Sequence, residues 1–254
     1  MTDGAVDVDV DALAKRHSPI VVTHPHESSL MCTSEYFLAN SALFDRLRGE
    51  VVKDVATNEL LNQYDNRRYC TRPNSNALRG QGAAPSYYSH YIKDGVLFIQ
   101  YVFLYTDNPG YVRCGVALGR HLSDVEHVTM QFTENNEVSR VYFAAHSSKQ
   151  GQWHSSRECA WRGDRLIVYS ALGSHASYAH TGTYIRILGL VNDVCRHGEE
   201  NDEEAVPLPD EAWTWWQGKL APTGVTPPRR QGWFNHENGQ SISWWKRCIG
   251  CCWW

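Results

Sequence analysis

GRHLSDVEHVTMQF, residues 119–132, places His121, Asp124, Glu126 and His127 within seven residues and then runs directly into Val128, Met130 and Phe132. Alternate residues of a strand point to opposite faces. A strand starting near Asp124 therefore puts Asp124, Glu126, Val128, Met130 and Phe132 on one face. The apolar members mark that face as the core side. Both carboxylates then lie at its upper end, where they repel each other and are costly to desolvate. A divalent cation would remove that cost. His121 has the opposite parity but can reach the same point from the turn that Gly119 permits. Carboxylates with one imidazole suit magnesium or calcium, with manganese, zinc or iron as further options.

Outward from this stretch, residues 86–173 break into short β-rich runs. YYSHYIKDG, VLFIQYVFLY, HVTMQFT, VSRVYFAAH and RLIVYSALG are each bounded by Gly, Asn, Asp or Ser. VLFIQYVFLY, residues 96–105, is almost continuously apolar, as a strand buried on both faces should be. Turns every ten or so residues predict a mainly β protein, an antiparallel β-sandwich with a few helices and long covering loops. The expected organisation is a polar lead-in over residues 1–18, one sandwich domain over 19–246, and a Cys/Trp-rich tail over 247–254. TSEYFLANSALFDRLRG predicts a helix over about residues 34–48, capped by Thr33 or Ser34 and ended by Gly49. NQYDNRRYCTRPNSNALRGQGAAP reads as a surface loop carrying Arg67, Arg68, Arg72 and Arg79. RHGEENDEEAVPLPDE reads as a mobile, solvating acidic insertion.

Composition narrows the function classes. The net charge is −4 with all 12 His neutral, which gives no electrostatic footprint for nucleic acid. The opening MTDGAVDVDVDAL lacks the apolar core of a signal peptide, and VLFIQYVFLY is too short for a membrane-spanning helix. The expectation is a cytoplasmic protein with, at most, peripheral membrane contact. Five of the eight Cys are scattered, as buried free thiols are, and CIGCC near the end lacks the second pair of a structural zinc site.

Further polar groups close other apolar runs. Asp107 follows the buried strand, His146 ends VYFAAH, and His175 sits in ALGSHASY. A hydrogen-bonded, half-buried histidine is the ordinary reading of each alone. Several such groups at different strand ends point to one polar or metal site.

The ordered blocks resemble a known family. HSPIVVTHPHESSLMCTSEYFLANSALF, YVFLYTDNPG, GRHLSDVEHVTMQF, VYFAAHSS, VYSALGSHASY and WTWWQGKL followed by TPPRRQGW are similar, in this order, to blocks of the vacuolar protein sorting-associated protein 62 family, over roughly residues 17–236. The central block also resembles the GHRHDWE heptapeptide of the necrosis-inducing, Nep-like cytolysins, with Val125 where that heptapeptide has Trp. That resemblance implies a β-sandwich holding a divalent cation and recognising sugar headgroups of lipids. It assigns the cation to His121, Asp124 and Glu126, with Asp107 best matching an upstream ligand.

Two functions compete. One is a binding module in which the cation coordinates hydroxyls of a small-molecule, sugar or lipid headgroup and Trp or Tyr of the C-terminal segment stack on it. The other is a metal-dependent enzyme for hydrolysis, elimination or rearrangement, with His146, His175 or His127 as general base. G-x-S-x-G, P-loop and dinucleotide fingerprints are absent. An adaptor whose ion only ties loops together is the third reading.

Overall fold

A computed structural model describes residues 8–113, 116–146, 151–186, 189, 191–222, 225 and 227–228. In chain order these form α1 (Val10–Arg16), β1 (Ile20–Val22), α2 (Ser34–Ala39), β2 (Ser41–Asp45), β3 (Glu50–Lys53), α3 (Asn58–Gln63), β4 (Tyr69–Pro73), β5 (Tyr87–Lys93) and β6 (Val96–Asn108). Next come β7 (Tyr111–Arg113), β8 (Val116–Leu118), β9 (His121–Phe132), β10 (Val138–Phe143), β11 (Gln152–Ser155), β12 (Trp161–Arg162) and β13 (Arg165–Ser170). The last are β14 (Ser177–Tyr178), β15 (Gly182–Tyr184), β16 (Asp193–Cys195), β17 (Glu200–Asn201), β18 (Val206–Pro207) and α4 (Ala212–Trp215).

The larger sheet has the order β11-β10-β9-β6-β5-β18, and the sheet facing it has β12-β13-β1-β17 with β14 beside β13. The chain is thus mainly β, as the runs of alternating residues predict. Its pairing is not wholly antiparallel, since β1 runs parallel to β13 and β18 parallel to β5. Between the two sheets lie Ile99, Tyr101, Phe103, Tyr105, Val128 and Met130, packed against Val21, Leu166 and Val168. The other face of β6 presents Val102 and Leu104 to a second core built from α2, α3, α4 and β2. Coverage on both faces is why VLFIQYVFLY does not alternate.

Three expectations from the sequence are corrected. The helix expected over 34–48 spans only Ser34–Ala39. Thr33 caps it, accepting from the Tyr36 N–H at 3.1 Å, and the Asn40 amide returns to the Tyr36 carbonyl at 2.9 Å. Ser41–Asp45 then pairs with β3 and β4, so tertiary pairing overrides the helical spacing. The presumed Arg-rich loop includes β4. Its Arg68 is bonded to the buried Asp45 carboxylate at 2.9 and 2.8 Å, and Arg72 lies 5.2 Å over the Phe44 ring. The acidic insertion is tied down: β17 pairs with β1, β18 with β5, and Ala205 and Leu208 are buried. Of the C-terminal Trp, Trp213 and Trp216 are 1% exposed in the second core, whereas Trp215 is 45% exposed.

The stretch read as a polar lead-in carries α1, whose Leu13 and Ala14 join the main core. The Cys/Trp-rich tail lies outside the described residues. Among those described, no helix is long and apolar enough to cross a membrane.

The Asp45–Arg68 pair sets an acid limit for the small β3-β2-β4 sheet. Hydrogen bonds from Arg68 hold the Asp45 carboxyl down to about 2, against an ordinary value of about 4. A depressed carboxyl stabilises the fold above its unfolded value and loses that contribution as the pH falls through the folded one. The urea midpoint of the protein should therefore drop between about pH 4 and pH 2. In Asp45→Asn that part of the slope should be missing and the midpoint at neutral pH lower. An unchanged acid slope in the variant would show that the pair contributes nothing.

Candidate functional site

The ends of β6 and β9 meet where the sandwich turns polar. Tyr105 is paired with Asp124, Asp107 with Leu122 and Asn108 with His121. The positive φ of Ser123, 58°, interrupts the alternation here. Leu122 accordingly packs with Val125 on the second core, while Asp124 stays on the side of Tyr105. Of five described non-glycine residues with positive φ, Asp94 and Asn136 sit in hairpin turns, whereas Ser123, His146 and His175 stand at this polar end. Backbone cost gathered in one region points to a functional site.

His175 is the organising group. It is fully buried, its ring lies parallel to Tyr105 at 3.9 Å, and its Nδ1 is 3.2 Å from Asp124 Oδ2. Its Nε2 faces Glu27 Oε1 at 3.7 Å. Burial opposes a charge on this ring more than any other single effect. The two carboxylates together outweigh it and raise the imidazole to about 10, so the ring is an imidazolium at neutral pH. Glu27 is also held by backbone: the N–H groups of Ser28, Ser29 and Gly173 donate to it at 2.8, 2.9 and 2.6 Å. Burial pushes the Glu27 carboxyl up, but His175 and these N–H groups bring it below the usual range. Gly173 is required sterically, because a Cβ there would meet the Gly110 carbonyl oxygen at 2.2 Å.

Asp124 accepts from the Asn108 amide at 2.5 Å as well as from His175. Asp107 differs. Its Oδ1 is buried with no hydrogen-bond partner, and its carboxylate has Arg120 at 3.6 Å. Burial raises its carboxyl, and Arg120 offsets this only in part.

A second polar centre lies beside the first. Asp193, fully buried, accepts from Tyr178 Oη at 2.6 Å, from Ser174 Oγ at 2.7 Å, and from Tyr111 Oη. His146 Nε2 stands 2.6 Å from it and Arg186 3.7 Å. Burial disfavours its charge, yet His146 and the tyrosines hold it well below the usual carboxylate range. Burial and the Asp193 charge push Tyr111 and Tyr178 up in turn. Asn108 joins the two centres by also donating to the Ser174 carbonyl at 3.3 Å.

The residues singled out in the sequence therefore divide. Asp107, Asp124 and His175 come together. His121 is buried at the head of β9 with Nδ1 2.8 Å from the Ser123 carbonyl, and Glu126 follows Asp124 on the same face, opposite Phe103. His146 belongs to the Asp193 centre. His127 lies on the opposite face of β9, opposite Val102 and stacked on Tyr142 at 6.0 Å. Among the described residues no three His, Cys, Asp or Glu side chains are gathered as an ion requires. The donor chemistry at Asp107 and Asp124 nevertheless suits a hard cation. One buried carboxylate oxygen is unpartnered, and the other carboxylate is oriented by Asn108 and His175, as outer partners orient metal-ligating carboxylates.

Sequence reasoning missed Glu27, Asn108 and Asp193. Glu27 lies in the quoted THPHESS, where the N–H donors after it at Ser28 and Ser29 were the available signal. Nothing local marks Asp193, whose partners come from four separate segments.

The fold is a β-sandwich similar to that of solved Nep-like proteins. Two solved structures of that class, "NLPPya in complex with mannosamine" and "NLPPya in complex with glucosamine", match with TM-scores of 0.51 and 0.50 at 11% and 10% identity, covering 89% of this chain and 86% of theirs. "Toxin fold for microbial attack and plant defense" matches at 0.50 and 11% identity, over 89% of this chain and 87% of its own. Residues 112–204 match the family model of vacuolar protein sorting-associated protein 62, as the motif order implied. Comparison with curated proteins gives no match.

His175→Ala tests the centre. It leaves Asp124 and Glu27 buried and facing one another without their shared cation. The expected cost is about 3–5 kcal/mol of unfolding free energy, read by urea denaturation at neutral pH. A loss below about 1 kcal/mol would show that His175 does not neutralise them.

Proposed function

We propose that this protein is a headgroup-binding β-sandwich. Its polar end takes a sugar, free or on a lipid, together with a divalent cation, magnesium or calcium first and manganese or zinc second. Asp107 and Asp124 are the residues that would hold the cation, with Glu126 and His121 next to them on β9. Bound there, the cation supplies Lewis-acidic coordination for hydroxyl oxygens. The observation that carries this reading is the buried, unpartnered Oδ1 of Asp107. A buried carboxylate oxygen without a donor is costly unless something charged or hydrogen-bonding comes to it.

The protein's own side chains do the rest. Asn108 and His175 fix the rotamer of Asp124. Glu27 balances His175. Arg120, half-exposed over Asp107, covers the carboxylate on its open side. The aminosugars bound by the two similar structures support a sugar as ligand, since a protonated amine suits an end rich in carboxylates. We assign no general base: His175 is engaged on both sides by carboxylates, His146 Nε2 is engaged by Asp193 at 2.6 Å, and His127 stands on the other face of β9.

Asp107→Asn separates the parts of this reading. Removing a carboxylate that burial disfavours should leave cation-free stability within about 1 kcal/mol of the parent. The parent should gain melting temperature with magnesium or calcium and show saturable NMR shifts with glucosamine or mannosamine that a chelator weakens. The variant should lose both responses. Sugar binding insensitive to the chelator would overturn the cation, and no sugar binding with any of the four cations would overturn the headgroup.

A further inference from the structure

The opposite end of the sandwich carries a second, chemically different recess. The carboxylates sit at the start of β9. Past its end, the β9–β10 turn, the end of α1, the turn after β11 and the β12–β13 turn line an open cleft of about 590 Å³. Its walls are fixed before any ligand arrives. The Thr133 N–H donates to the Glu137 carbonyl at 2.9 Å, and Asn136 adopts a φ of 61° to close the turn. Asp164 is held by Arg16 Nε at 2.9 Å, and its carbonyl lies 2.7 Å from His17 Nδ1. The Ser155 N–H donates to Glu158 at 2.8 Å and fixes the turn that bears Arg157.

The lining defines the ligand. Arg16 and Asp164 neutralise one another. What remains is Arg157 and Glu137, one charge of each sign, neither paired among the described residues, with the amides of Asn135 and Asn136 beside them. This set both donates and accepts hydrogen bonds and carries no net charge. Trp161 stands in the same lining, and its indole N–H is already given to the Ser156 carbonyl at 2.8 Å. It therefore offers ring carbon rather than a polar contact. Donors and acceptors without net charge, next to an aromatic surface, match vicinal hydroxyls on an apolar ring. An anion would find Glu137 and Asp164 opposing it, and a cation would find Arg157 and Arg16.

We propose that this cleft is a second ligand site and that it takes a neutral polyhydroxylated ligand, a saccharide unit, independently of the carboxylate end. The recess is open and mainly polar, which suits a hydrophilic ligand held at the surface, and pre-organised walls lower the ordering cost of binding.

The test is an NMR titration of the full chain with methyl α-glucoside, methyl α-mannoside and chitobiose, and separately with glucose 6-phosphate. The readout is the Trp161 indole N–H, assigned through Trp161→Phe, together with the Asn135 and Asn136 amides. We expect saturable shifts with at least one neutral sugar, with Kd on the order of 1 mM. Arg157→Ala and Asn135→Ala, both at exposed positions, should keep the parent melting temperature and weaken that binding about tenfold or more. Asp107→Asn should leave it unchanged, which separates this site from the one proposed above. The proposal is overturned if no neutral sugar moves Trp161, if the shifts survive both variants, or if glucose 6-phosphate alone binds.

Discussion

The pairing of β6 with β9 is the constraint on which the rest depends. The two strands run in register from Phe98–Gln131 to Asn108–His121, and each face of the pair is covered, one by the second sheet and one by the helices. Strands this long and this enclosed carry their terminal residues into the interior as well. Asp107, Asn108, His121, Asp124 and Glu126 are all less than 9% exposed for that reason. Low local dielectric then makes every unpartnered polar atom expensive, and the polar end must be assembled from segments able to reach it.

Those segments are short and strained. The 173–175 turn supplies an N–H to Glu27, a hydroxyl to Asp193 and the imidazole between Glu27 and Asp124. Two centres therefore share one turn, and Asn108 connects them again from β6. Substitutions in the two centres should not add, because each changes the support of the other. The positive φ of His175, 55°, is part of the same arrangement: the turn is held by the contacts that its own side chain makes.

What was legible in the sequence follows from the range over which each signal acts. Strand runs were readable because burial alternates, or fails to alternate, residue by residue. The carboxylates of β9 were readable because their face is set by the apolar residues after them. The helix over 34–48 was over-extended because Leu43 and Phe44 satisfy helical spacing while their partners, Thr71 and Cys70, lie on a strand about thirty residues later. Composition cannot say which aromatic is core: of three neighbouring Trp, Trp213 and Trp216 are buried and Trp215 is exposed. Asp193 was invisible, since Tyr111, His146, Ser174 and Tyr178 reach it only after folding. Arg68 was mistaken for surface charge for the same reason, its partner Asp45 being on another strand.

The two ends of β9 differ in what they ask of a ligand. At its start, Glu27, Asp107, Asp124 and Glu126 gather around His175 and Arg120, in a buried setting where charge is little screened. Past its end, opposite charges cancel in an open cleft. A twelve-residue strand separates these ends by roughly 35–40 Å, several times the screening length of about 8 Å at physiological ionic strength. Charge arriving at one end therefore does not reach the other through solvent. Occupancy at one end should be thermodynamically independent of the other, and only a ligand long enough to span the sandwich, or several ligands displayed on one surface, would engage both at once.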